Sequence, residues 1–150
     1  YDEIKKYKNP NLSLEEIREV VLNNSDDFCH IAYELRNDIL LMRQLTCTSG
    51  LSVYRILGYL GEEVRNDLTA MLNLVKNCNP STLRGFYDNK TYLGLAVRCH
   101  PIFWQTLNAR IFQDDNSHDC PLFDIDAELA QAQKLLEEQQ TTVSSGVKHS

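Results

Sequence analysis

"LRND" at 35–38 and "VRND" at 64–67 write nearly the same four letters twice in a chain of 150 residues, and the residues after each copy are alike in type. Four residues after Asp38 and Asp67 come Met42 and Met71, seven after come Leu45 and Leu74, and eight after come Thr46 and Val75. Offsets of four, seven and eight lie on one face of an α-helix. Ser13 and Asp88 extend the series, with Ile17, Val20 and Val21 after the first and Tyr92, Leu95 and Ala96 after the second, so that the markers fall at intervals of 25, 29 and 21 residues. Each marker is a Ser or an Asp, whose side-chain oxygen accepts from the free N–H groups of a first helical turn. Ser13, Asp38, Asp67 and Asp88 are therefore expected as helix N-caps. Glu16, three residues after Ser13, completes a capping box.

About twelve residues beyond each marker the chain writes "NNSDD", "TSGL", "NCNP" and "RCHP". Gly50 suits the left-handed residue that closes a helix, and Pro80 and Pro101 cannot continue one. A shorter apolar pattern comes after each stop: Phe28, Ile31, Ala32 and Leu35, then Val53, Ile56, Leu57 and Leu60, then Leu83 and Phe86, then Phe103, Leu107 and Ile111. Each unit reads as a helix, a turn and a shorter helix. One such hairpin cannot bury its apolar stripe alone, whereas several stacked side by side can. The expected fold is all-α, about four tandem helical hairpins over residues 13–112, packed as a short solenoid or a compact bundle. Residues 1–12 form an N-terminal extension and 113–123 a polar linker. The pattern at 124–140, with Leu129, Ala132 and Leu136 on one side and Asp124 or Asp126 as cap, is a further helix, and 141–150 are expected to be disordered. No alternation of period two persists long enough to make a strand.

Composition narrows the classes of function. No run approaches the roughly 18 to 20 apolar residues of a membrane-spanning helix, and the first residues lack the apolar run of a signal peptide. A formal net charge of −6, with 15 dispersed Lys and Arg, argues against a nucleic-acid surface, which needs clustered cations. The five cysteines, Cys29, Cys47, Cys78, Cys99 and Cys120, form no close pairs and read as free thiols in a reducing compartment.

Cysteine chemistry is the sharpest enzymatic reading, because His118, Asp119 and Cys120 are consecutive and Cys99 adjoins His100. Sequence neighbours are not a catalytic dyad, which the fold assembles, and Cys99 falls near a helix end whose macrodipole raises a thiol pKa. Cys78 and Cys99 each lie eleven residues after a marker, on the apolar stripe, and read as small buried hydrophobes. The Cys and His residues lack the paired spacing of a zinc site. No phosphate loop, nucleophile elbow or HExxH helix occurs. Catalytic, cofactor and metal residues are thus all expected to be absent. Paired carboxylates at Asp38 and Asp67 are occupied as caps, with Arg36 and Arg65 beside them for neighbouring helix ends or an acidic partner. Tyr87, Tyr92, Phe103 and Trp104 fall where the repeat is least regular and are the candidate partner-binding residues.

The phrase "AYELRNDILLMRQLTCTSGLSVYRIL", preceded by "VVLNNSDDFCHI", resembles a tandem helical repeat domain of unknown function found in effectors of intracellular bacterial pathogens and in large viruses. The likeness spans about residues 13–112 and is tightest in the first two units; it implies an all-α repeat and no reaction. "LLEEQQTTVSSGVKHS" is similar to the translocation signal of type IV-secreted effectors, with Glu137 and Glu138, then Thr141, Thr142, Ser144 and Ser145, then Val147. Together these imply a non-enzymatic interaction module, secreted into the host cytosol (otherwise cytoplasmic), that binds and modulates a host protein. The alternatives are a small cysteine-dependent hydrolase or transferase, or the targeting or regulatory end of a longer effector enzyme.

Overall fold

The structure is a computed structural model; it describes the backbone of residues 2–114 and 120–149, and the side chains of 5–114 and 120–141. The fold is all-α. Its helices are α1 (Asp2–Tyr7), α2 (Leu14–Asn23), α3 (Tyr33–Arg36), α4 (Ile39–Leu45), α5 (Val53–Ile56), α6 (Glu62–Arg65), α7 (Leu68–Asn77), α8 (Arg84–Asp88), α9 (Leu95–Arg98), α10 (Pro101–Gln113) and α11 (Ile125–His149). Tighter 3-10 turns at Ser25–His30, Leu57–Tyr59, Pro80–Thr82 and Lys90–Tyr92 connect them. Among the described residues the only β-pairing is one parallel bridge between Leu51 and Cys78.

The long helices α2, α4, α7 and α10 pack in chain order, each against the next. Their inward positions are those that the offsets select: Ile17, Val20 and Val21 on α2, Met42 and Leu45 on α4, and Met71, Leu74 and Val75 on α7 are buried. A second row runs from the turn at Ser25–His30, which packs on α2, to α5 and on to α8; with Leu83, just before α8, it contributes Phe28, Val53, Ile56 and Phe86 to the same core. The short helices α3, α6 and α9 lead into α4, α7 and α10. Gly50, at φ +87°, takes the left-handed turn after α4, and its N–H donates to the Asn77 carbonyl at the end of α7.

The fourth unit starts later than the spacing indicates. Asp88 is the last residue of α8, not an N-cap; its carboxylate accepts from the Tyr54 hydroxyl at 2.9 Å and pairs with Arg84 one turn earlier. The fourth long helix is α10, and the residue in its cap position is His100. Pro101 begins this helix rather than ending one, as suits a residue with no N–H to leave unpaired at the first position. Phe103, Trp104, Leu107 and Ile111 are its buried face, whereas Tyr92 and Ala96, at the offsets counted from Asp88, are exposed. The boundary falls 33 residues after Asp67, at His100, because α8 and the turns beside it belong to the third unit, as α5 and the turn at Leu57–Tyr59 belong to the second.

The ends also differ from expectation. Residues 1–12 are part of the body: the Tyr7 carbonyl accepts the Ala32 N–H, and Tyr7 and Leu12 are buried. Helix α11 begins after Asp124, whose Oδ1 accepts the Ala127 N–H at 3.2 Å, and runs through the segment expected as a disordered tail, to His149. No proline interrupts it, and helix formation is cooperative once started. It packs on α9 and α10, with Ile125 and Leu129 against the core.

Candidate functional site

Every letter of the tetrad has a place in the junction between one unit and the next. Leu35 and Val64 are core residues. Arg36 donates from Nε to the Ile31 carbonyl of its own unit at 2.8 Å and from Nη1 to the Tyr59 carbonyl of the following unit at 2.7 Å. Arg65 repeats both bonds one unit later, to the Leu60 carbonyl at 3.1 Å and the Tyr92 carbonyl at 2.9 Å. A rigid guanidinium fork spans two carbonyls in this way where a lysine ammonium would not. Burial lowers the Arg36 pKa below the usual arginine value, and the group stays charged.

Asn37 and Asn66 reach across the same junctions. Asn37 Oδ1 accepts the Glu63 N–H at 2.9 Å, and Asn66 Oδ1 accepts the Ala96 N–H at 3.0 Å, each supplying from the preceding unit an acceptor for the first turn of α6 or α9. A backbone bond accompanies each: Gly61 N–H to the Arg36 carbonyl at 2.8 Å and Gly94 N–H to the Arg65 carbonyl at 2.9 Å. The approach is so close that a Cβ on Gly61 would stand 2.4 Å from the Asn37 Cα, and one on Gly94 2.5 Å from the Asn66 Cα. Only glycine fits.

Asp38 and Asp67 cap their own long helices. Asp38 accepts the Leu41 N–H at 3.0 Å and Asp67 the Ala70 N–H at 2.9 Å, while Ser13 and Glu16 form the capping box of α2. Asp67 also receives both nitrogens of an Arg43 fork, Nε at 2.9 Å and Nη2 at 2.8 Å, which ties α4 to the start of α7. The Arg43 bonds hold the Asp67 carboxyl below the ordinary aspartate value, and the Ala70 N–H adds to this against the opposing effect of burial. At the far end of α7, Arg110 of α10 donates to the Val75 and Cys78 carbonyls, groups that a helix end leaves unpaired.

"VRCH" at 97–100 is the third copy, and it departs where the stack ends. Val97 is buried like Leu35 and Val64. The Arg98 carbonyl has no following glycine N–H to accept, and takes the indole N–H of Trp104 at 2.8 Å instead. Cys99 stands where Asn37 and Asn66 reach into a next unit. His100 occupies the cap position without a side-chain cap bond.

Of the four candidate partner residues, the structure separates two from two. Phe103 and Trp104 are fully buried in an aromatic cluster with Phe86 and Phe123, so neither is a surface anchor; both fill the interior end of α10. Tyr87 and Tyr92 are exposed, each beneath an arginine, Arg84 and Arg65 respectively. Tyr33, Tyr54 and Tyr59 are exposed too, and the sequence reading does not single them out. All five lie in the short helices and turns, none on α2, α4, α7 or α10; the signal available is that these tyrosines recur between the long-helix patterns.

The thiols of Cys29, Cys47, Cys78 and Cys120 each donate to a backbone carbonyl, of Asp26, Arg43, Val75 and Pro121 respectively. Cys78 is buried, and burial pushes its thiol pKa up to about 11 against the pull of Arg110. Cys120 is raised by burial as well. Cys47 is exposed, and Cys29 and Cys99 are half-buried. His118 and Asp119 lie outside the described residues, among which no cluster of metal-ligating side chains forms and no helix is long and apolar enough to cross a membrane. Comparison with protein-family models, with curated proteins and with solved structures finds no match to this chain.

Proposed function

We propose that this chain is a non-enzymatic protein–protein interaction module, a helical-repeat stack that a secreted bacterial effector presents to a host protein. The observation that carries the reading is the exposure of five tyrosines, Tyr33, Tyr54, Tyr59, Tyr87 and Tyr92, on the short elements of a stack whose repeated tetrads are consumed by its own architecture. Tyrosine offers a large, rigid contact surface with a polar tip and is enriched among binding anchors. Secretion rests on the composition of the C-terminal segment; Glu137, Glu138 and Thr141 are exposed on α11, and the side chains of Thr142, Ser144, Ser145 and Val147 lie outside those described.

Two experiments test the two parts. Capture of a host protein on the immobilised chain is expected, and is lost in a Tyr59→Ala/Tyr87→Ala variant whose circular dichroism is unchanged; capture that survives this and the other tyrosine substitutions removes the exposed tyrosines as the binding residues. Deleting residues 137–150 abolishes translocation in a reporter assay, and undiminished export rejects the secretion reading.

A further inference from the structure

Glu62 and Glu63 open α6, and the stack has no architectural use for their carboxylates. The first N–H groups of α6 are already met from the preceding unit, that of Glu62 by the Tyr33 hydroxyl at 3.3 Å and that of Glu63 by Asn37 Oδ1 at 2.9 Å. Neither carboxylate takes part in a salt bridge among the described residues. The equivalent positions after Gly94 hold Leu95 and Ala96, so the repeat does not require acid there. Both glutamates are exposed.

The two line a groove of about 1110 Å³ bounded by α6, the turn at Lys90–Tyr92, α9 and the second half of α11, larger than the roughly 300–1,000 Å³ that small ligands fill. Half-buried Leu95 from α9 and Leu135 and Leu136 from α11 give it apolar walls. Its lining carries three glutamates, Glu62, Glu63 and Glu138, against two arginines, and both arginines are engaged within the protein. Arg65 donates from Nε and Nη1 to the Leu60 and Tyr92 carbonyls, while Arg98 is only 5% exposed and donates to Gln131. A partner therefore meets apolar surface edged with negative charge, on a chain whose net charge of −6 adds attraction for cations at longer range. No group of metal-ligating side chains forms among the described residues, so a bare metal ion does not suit the groove. We propose that it takes a cationic amphipathic helix of a partner protein, with apolar side chains against Leu95, Leu135 and Leu136 and lysines or arginines facing Glu62 and Glu63. An amphipathic helix laid between helices is a recurring mode of recognition, and the opposed charges set its partner choice. This deepens the interaction-module reading by naming a partner class, and it rests on that reading for its biological sense.

The test is a fluorescence-anisotropy titration of the whole chain with three dye-labelled peptides: LKKLLKKLKKLL, whose leucines share one helical face, LKLKLKLKLKLK, of the same composition with period two, and LEELLEELEELL, of opposite charge. The first binds most tightly, and added salt weakens it. Glu62→Gln/Glu63→Gln weakens it by about threefold to tenfold, the worth of two exposed ion pairs, whereas Glu19→Gln/Glu34→Gln, the same change in net charge at exposed residues outside the groove, leaves it unchanged. Equal binding of the two lysine peptides, binding of the glutamate peptide as tight as the first, or equal loss in the two variants each overturns the proposal. So does a dimer in sedimentation that Glu62→Gln/Glu63→Gln dissolves, which would make a second copy the occupant. The comparison among peptides needs no variant and so survives misfolding of either one. Tyr59 and Tyr87 do not line the groove, so host-protein capture that depends on them and peptide binding here fail independently.

Discussion

Asn37 Oδ1 sits 2.9 Å from the Glu63 N–H, across a boundary between units, and 29 positions further along Asn66 stands in the same relation to Ala96 at 3.0 Å. The backbone of each asparagine closes the short helix of its own unit, α3 or α6, while its side chain serves the next unit. Asn37→Ala and Asn66→Ala are each expected to lower stability in urea unfolding by about 1 kcal/mol, the usual worth of such a cap, while Asn→Asp at either position keeps the acceptor and most of the stability.

The glycines opposite these asparagines make a steeper prediction. Gly61→Ala and Gly94→Ala each force a Cβ against backbone that cannot swing away, and overpacking of that kind costs about 1–3 kcal/mol. Ala32 occupies the matching place at the first junction, where its N–H bonds the Tyr7 carbonyl and no asparagine faces it. Ala32→Gly should therefore change stability far less than either reverse substitution. Thermal melts of the three variants decide this.

Acid should weaken the α4–α7 contact. The folded-state pKa of Asp67 is depressed, chiefly by Arg43, so its contribution is fully present above the ordinary aspartate pKa and is lost as pH falls through the folded-state value. Asparagine also caps helices well, which makes Asp67→Asn a probe of the Arg43 pair. The stability gap between native chain and variant is expected to be constant near neutrality and to close on acidification from about pH 5 downward. A gap that widens in acid contradicts the assignment.

Thiol labelling at neutral pH separates the cysteines. Exposed Cys47 should react fast and Cys78, buried with its pKa pushed up to about 11, only on unfolding. Rapid labelling of Cys78 in the folded chain would favour the cysteine-enzyme reading instead.

Much of this fold is legible in the sequence because helical spacing and capping chemistry are local. Ser13, Asp38 and Asp67 cap the helices that their offsets announce, and the buried faces of α2, α4 and α7 come from the same count. What the letters do not carry is contact between units. The roles of Arg36, Asn37 and Gly61 exist only once one unit is laid on the next, and Asp88 resembles a marker in type while its environment makes it the partner of Tyr54. Trp104 escapes the sequence for the same reason: a tryptophan near an irregular boundary fits a surface anchor or an interior plug equally, and the Arg98 carbonyl it satisfies lies in another helix.

The central claim is that each tetrad fastens its unit to the following one. Hydrogen exchange on Arg65→Ala tests it most directly, since Arg65 bonds Tyr92 of the next unit and coupling in a repeat stack runs between neighbours. Exchange should accelerate at Gly94–Val97, about 30 residues downstream of the substitution, while the amides of α2 keep their native protection. Acceleration confined to residues 60–68, or equal at every helix, would contradict the account.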